Sequence, residues 1–192
     1  LLAALGMSAQ KDFFFSKNKI NVVCEGTSDY IYLKTFSELL NESRFNFIPS
    51  FGVTDALKIY NILTGWGYSP IVLFDFDKEG VEKGGNAMIK TGIYELNRDF
   101  VFTKNVNQNE IDSKSYSNNA HTIEDVVGKD VLLCFIKHNN LSGDSIFKHK
   151  PLLAKLFCND LCLSYDLESD SFNNFKSLFE RINEARNQVQ RS

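Results

Sequence analysis

Six carboxylates stand where the chain changes character. Glu25 closes the β-branched run 19–24 (KINVVC), and Asp29 follows four residues later. Asp75 and Asp77 end the apolar run 70–76 (PIVLFDF). Glu124 and Asp125 follow a polar stretch, in Thr122-Ile123-Glu124-Asp125. The i, i+2 spacing places Asp75 and Asp77 on one side of an extended chain. Carboxylates gathered together repel, and each raises the pKa of its neighbours. A divalent cation removes that cost. Hard oxygen donors favour Mg2+ or Mn2+ over zinc. Two such ions about 4 Å apart activate a water and stabilise the leaving oxygen in phosphodiester cleavage. Each acid also has a plain alternative. Glu25-Gly26 reads as a turn, Asp29 as an acid favoured at a helix start, Asp75 and Asp77 as solvated strand ends, and Glu124 and Asp125 as residues of a first helical turn. Jointly these alternatives are weaker, because the acids fall at strand ends expected to lie side by side.

The elements that must position these acids follow from periodicity. Residues 19–24 read as a strand. Thr27 and Ser28 are expected caps for a helix over 29–40, where Tyr30, Leu33, Phe36, Leu39 and Leu40 recur at helical spacing. Residues 45–48 read as a second strand, ended by Pro49, Ser50 and Gly52. A second helix is expected over 55–63, closed by Gly65 and Gly67. The continuous apolar run 70–76 predicts a central strand buried on both faces. Residues 80–96 read as loop then helix, and 99–103 as a fourth strand. This alternation predicts a parallel sheet with helices on both faces. In such sheets ligands bind beyond the carboxyl ends of the strands, where the acids fall. Residues 105–120, rich in Asn and Ser, read as a surface loop, and 122–136 as a helix. Residues 151–192 read as interrupted helix, with Phe172, Phe175, Leu178, Phe179 and Ile182 as a packing stripe or a dimer surface.

Composition bounds the function classes. The chain of 192 residues is 43% hydrophobic and 23% charged, as an ordinary globular protein is. Its net charge of −3 excludes a strongly basic nucleic-acid coat but not a nucleic-acid enzyme whose acids are neutralised by metal ions. No apolar run approaches the ~20 residues of a membrane helix. Residues 1–7 are apolar without a preceding charged region, so they do not read as a signal peptide. The chain begins with Leu1 and reads as part of a longer protein. Cys24, Cys134, Cys158 and Cys162 contain no CxxC pair and read as reduced thiols of a cytoplasmic protein. The chain contains no GxxxxGK[ST] loop, so ATP hydrolysis is not expected of it.

Glu25-Gly26-Thr27-Ser28-Asp29, followed by Phe74-Asp75-Phe76-Asp77-Lys78-Glu79-Gly80, resembles the paired motifs of a Toprim domain. The wider pattern EGTSDYIYL, LFDFDKEG and TIEDVV resembles the Toprim half of overcoming-lysogenization-defect (OLD) family nucleases, over residues 1 to about 155. Ala4-Leu5-Gly6 is similar to the approach to that domain. The resemblance implies a Rossmann-like α/β fold with a mostly parallel four-stranded sheet. It implies an approach segment over 1–18, a Toprim core over 19–128 and a helical C-terminal extension over 129–192. The implied activity is metal-dependent DNA endonuclease action with two Mg2+ or Mn2+ ions, in phage defence or DNA repair. An ABC-type ATPase domain is the implied partner, with homodimerisation left open.

The implied roles follow residue by residue. Glu25 binds metal and takes part in proton transfer. Asp75 is the main ligand of one metal, supported by Asp77. Asp29 and Glu124 hold the second, with Asp125 adjacent. Gly26 and Gly80 allow tight turns. Lys150, or failing it Lys148, stabilises charge on the scissile phosphate, and Lys78 is a further phosphate contact. Residues 129–155 carry five Lys against two Asp, which suits a phosphate track. The absence of a zinc ribbon and of a topoisomerase tyrosine domain turns the reading from primase or topoisomerase to nuclease. Alternatives are a Toprim RNase acting on tRNA and a non-catalytic scaffold binding DNA or protein. A haloacid-dehalogenase-like phosphatase ranks last. That family's DxD follows the first strand, and here it follows the third and continues Lys78-Glu79.

Overall fold

The computed structural model describes residues 16–141, 149–164 and 170–189. Along the chain run β1 (Ile20–Cys24), α1 (Thr27–Leu39), β2 (Phe45–Pro49), α2 (Val53–Gly65) and β3 (Ile71–Phe74). A π-helical turn (Gly80–Gly85) leads into α3 (Asn86–Ile89), followed by β4 (Phe100–Phe102), α4 (Gln108–Asp112) and a 3-10 turn (Ser115–Ser117). Then come α5 (Ile123–Val127), α6 (Lys129–His138), α7 (Lys150–Ser164) and α8 (Asp170–Val189). The strands form one sheet in the order β2-β1-β3-β4, and every neighbouring pair is parallel. This is the Rossmann-like α/β architecture that the strand–helix alternation predicts.

Strand alternation divides the core into two layers. Val22 and Cys24 point to one face and Val23 to the other. On the first face α1, α5, α6, α7 and α8 supply Leu33, Phe36, Val127, Leu132, Phe157 and Phe179. On the second, Ala56, Tyr60 and Leu63 of α2 and Met88 of α3 meet Val72, Phe74 and Phe102. The stripe of α8 belongs to this core. Phe175, Leu178, Phe179 and Ile182 are at most 1% exposed, and Phe175 stacks on Phe36 with centroids 3.9 Å apart. Burying each such side chain contributes roughly 1.5–3 kcal/mol. Arg181 of α8 donates to the carbonyls of Phe102 and Thr103, both at 2.9 Å, tying the helix to the carboxyl end of β4. Burial lowers its pKa to about 10. Cys24 and Cys158 are buried free thiols, and Cys134 is exposed and free.

Several local expectations are corrected. The helix expected from residue 29 begins at Thr27, with Gly26 as its N-cap, so Thr27 and Ser28 lie inside its first turn and do not cap it. The stretch 105–120 is not an unstructured loop. Asn107 caps α4 by accepting from the Glu110 N–H, and Val106, Ile111 and Tyr116 are buried. The single helix expected over 122–136 is broken at Gly128, whose φ of +101° only glycine adopts readily. Residues 1–15, and with them most of the expected approach segment, lie outside the described residues. Among the described residues no helix is long and apolar enough to cross a membrane.

Candidate functional site

Because the sheet is parallel, the carboxyl ends of β1 and β3 lie side by side, and their following residues share one edge. Glu25 leaves β1 and Asp75 leaves β3. They are joined directly, since Glu25 Oε2 accepts from the Asp75 N–H at 3.2 Å. Asp29 stands at the third position of α1, and its Oδ2 accepts from the Gly26 N–H at 2.8 Å. Asp75 Oδ1 accepts from the Ile123 N–H at 3.0 Å, so the start of α5 is fixed against β3. A pocket of about 240 Å3 opens here, lined by Glu25, Asp29, Ser50, Phe51, Asp75 and Lys150. Glu124 stands behind it. One oxygen, Oε2, accepts from Thr122 Oγ1 at 2.9 Å and meets Lys150 Nζ at 3.1 Å.

The electrostatics are those of acids forced together. Burial raises the pKa of Glu25 to about 7; the Asp75 N–H opposes this, and the charges of Asp29, Asp77 and Glu79 add to it. Burial likewise raises Asp29 to about 6, with Glu124 adding to the rise and the Gly26 N–H and Lys150 opposing it. Asp75 is pushed well above the usual carboxylate range by burial, and then by Asp29, Glu25 and Glu124. Burial disfavours the charge of Lys150, but Glu124, Asp75 and Asp29 outweigh it and raise its pKa.

The expected site residues divide. Glu25, Asp29, Asp75, Glu124 and Lys150 come together. Asp125 does not join them. Its Oδ2 accepts from the Thr122 N–H at 2.8 Å and its Oδ1 meets Lys129 at 2.6 Å, so it is the reciprocal partner of Thr122 at the start of α5. Asp77 sits at the margin, where Oδ1 accepts from the Gly80 N–H at 2.8 Å and closes the turn after β3. Lys78 is exposed, and Glu79 pairs with Lys83 at 3.0 Å on the surface. Lys148 lies outside the described residues.

Gly80 has the steric role expected of it. A Cβ there would fall 2.1 Å from the Asp75 carbonyl oxygen. Gly26 differs from that expectation. Its φ of −138° suits any residue, and a Cβ would make ordinary contact 3.6 Å from Asp29. Its contribution is the backbone N–H.

Three participants escape the search for charged groups. Ser50 Oγ lies 2.8 Å from the carbonyls of both Cys24 and Glu25, and the Gly52 N–H donates to Glu25 O at 2.8 Å, so the turn after β2 clamps the end of β1. Phe51, on the same turn, is 63% exposed at the pocket. His121 is bridged to Phe76, with N–H to carbonyl bonds of 2.8 and 2.9 Å, which fixes the DFD segment. The only sequence signal for the first two is the Pro-Ser-Phe-Gly break after β2, which reads as a strand end. His121 has no motif.

The donor set is chemically suited to a hard cation. Every candidate ligand is a carboxylate oxygen. Glu124 Oε1 is buried without a hydrogen-bond partner, a state that costs about 1–3 kcal/mol or more for a charged group. The arrangement is not itself a coordination sphere. Among the described residues no three His, Cys, Asp or Glu side chains form a group placed to hold one ion. Backbone N–H groups occupy an oxygen of Asp29 and of Asp75, and Lys150 occupies Glu124. Compared with protein-family models, with curated proteins and with solved structures, the chain has no match. Its function is therefore read from the site.

Proposed function

We propose that the chain is a metal-dependent phosphodiesterase, a Toprim-type nuclease domain of the OLD kind acting on DNA. The observation that carries the reading is the convergence of Glu25, Asp29 and Asp75 on one pocket with Lys150 at its wall. Glu25, Asp29, Asp75 and Glu124 are the residues that would hold Mg2+ or Mn2+. The ion, when bound, supplies charge neutralisation and Lewis acidity to the phosphate.

The rest falls to the chain's own groups. Without an ion, burial raises the pKa of the Glu25 carboxyl to about 7 while its Oε2 stays on the Asp75 N–H, so Glu25 gives up its proton when a cation is taken up. Lys150 keeps its charge and, with one N–H on Glu124 Oε2, offers its remaining N–H donors to the phosphate oxygens. Phe51 presents an apolar face at the mouth for a sugar or base. The test is nicking of supercoiled plasmid with Mg2+ or Mn2+, beside Glu25→Ala and Asp75→Ala variants of equal folded content. Nicking by the parent alone supports the reading, and tRNA cleavage without plasmid cleavage moves the substrate to RNA.

One observation favours a second reading, a non-catalytic scaffold. Lys150 closes an ion pair on Glu124, which already neutralises one acid without a metal. No cleavage and no metal-dependent change in melting temperature would select it.

A further inference from the structure

The opposite end of the sheet carries a cleft of contrary charge. Its volume is about 340 Å3, and its walls include Lys17, Lys19, Trp66, Tyr68, Ser69 and Arg186. No carboxylate is among its described lining residues, in a chain whose net charge is −3. Lys17 and Lys19 are exposed and form no ion pair among the described residues. Arg186, in the last turn of α8, reaches the Ser69 carbonyl only at 3.4 Å. That is a long bond, which a charged acceptor would outcompete.

Trp66 is 64% exposed, yet its backbone is fixed. It is the C-cap of α2. The Gly67 N–H donates to Thr64 O and the Tyr68 N–H to Leu63 O, both at 3.0 Å. Gly67 has φ +80°. This is the Schellman closure of a helix, and it presets the turn that carries the indole before any ligand arrives.

We propose that this cleft binds a nucleoside phosphate, with the base stacked on Trp66 and the phosphate held by Lys17, Lys19 and Arg186. A bare anion needs no aromatic wall, and an apolar ligand needs no three cations. An aromatic face beside a positive groove is the combination that holds a base and its phosphate together. The volume suits a small ligand or a strand end. The donor is a free nucleotide or a single-stranded nucleic acid, since both present the same chemistry. The site is independent of the carboxylates. The five residues of β1 lie between Lys19 and Glu25, and the six steps span roughly 20 Å at about 3.3 Å per residue.

Trp66 is the only tryptophan of the chain, so its fluorescence reports this cleft alone. The titration is run in chelator, which leaves the carboxylate pocket no cation with which to recruit phosphate. The probes are AMP, adenosine, inorganic phosphate and a short single-stranded oligonucleotide with a 5′-phosphate. The expected result is saturable quenching by AMP or by the oligonucleotide, with adenosine and phosphate each weaker by about tenfold or more. Saturation by AMP assigns a free nucleotide, and a response to the oligonucleotide alone assigns a strand.

The double variant Lys17→Ala, Lys19→Ala removes exposed side chains only. It is expected to weaken binding about tenfold, and Arg186→Gln to do the same. Glu25→Gln leaves binding unchanged. Three results overturn the proposal: no saturable quenching by either nucleotide probe, equal affinity in the parent and the double lysine variant, or phosphate binding as tightly as AMP. None of these bears on the nuclease reading, which plasmid nicking tests separately.

Discussion

Asp75 and Asp125 are the same side chain placed against the same short helix, α5, with opposite results. Asp75 accepts from the Ile123 N–H inside a group of acids, and burial with three neighbouring carboxylates pushes its pKa well up. Burial also opposes the charge of Asp125, but Lys129 and the Thr122 N–H outweigh it and hold its pKa below the usual value. One is a strained acid that a cation would relieve. The other is a satisfied cap. Acidity in a motif therefore does not identify a ligand. What identifies one is burial among like charges without a cation of its own.

The largest expected contrast is in cleavage. Asp75→Asn and Glu25→Gln should lower the plasmid-nicking rate at saturating Mn2+ on the order of a hundredfold to a thousandfold, the scale of losing a group that stabilises transition-state charge. Asp125→Asn should leave that rate within about threefold of the parent. Equal losses in the two would break the distinction.

The next effect is steric. Gly80→Ala forces the chain away from the Asp75 carbonyl, because no rotation clears a backbone atom 2.1 Å from the added carbon. Denaturant unfolding should show a loss of about 3 kcal/mol, together with loss of nicking. Gly26→Ala, where the added carbon makes ordinary contact, should stay within about 1 kcal/mol of the parent.

The raised acids also set a pH dependence. Glu25 and Asp29 keep their protons to about pH 7 and about pH 6 in the folded state, while the unfolded chain releases them near its ordinary values. The folded state then binds more protons, so stability falls as pH rises from about 4.5 to 7. His121, whose pKa burial lowers, acts in the opposite sense. The comparison is therefore between parent and Glu25→Gln. The variant should lack roughly 2 kcal/mol of that decline, after solvent screening at the pocket rim is allowed for. Melting curves from pH 4.5 to 8 measure this, and parallel curves would contradict it.

The smallest effect is the cap itself. Thr122→Ala removes the hydroxyl that accompanies the Asp125 cap and contacts Glu124. It should cost about 1 kcal/mol in unfolding free energy.

Much of the framework was legible in the residues. Four strands follow from β-branched and aromatic runs, and the buried central strand follows from the unbroken IVLF. The acids at the carboxyl ends of β1 and β3 follow from where those runs stop. What escaped was set by local hydrogen bonding. Thr122 and Asp125 already form a T-x-x-D capping pattern, which separates Asp125 from Glu124 once read as a cap. Asn107 and Glu110 form the same kind of box in the stretch expected to be loop. Val106, Ile111 and Tyr116 are buried there at five-residue spacing, which matches neither helix nor strand period. The clamp of Ser50 on the end of β1 joins residues twenty-five apart through backbone carbonyls, which no side-chain pattern announces.

The central claim is that the inner carboxylates form a cation site. Titration calorimetry with Mn2+ at neutral pH, in buffers of different ionisation heat, tests it most directly. The protonated fraction of Glu25 must leave for an ion to bind, so the account predicts saturable binding with proton release. It predicts loss of both signals in Asp75→Asn and their retention in Asp125→Asn. Absence of binding in the parent, or equal binding in Asp75→Asn, would contradict it.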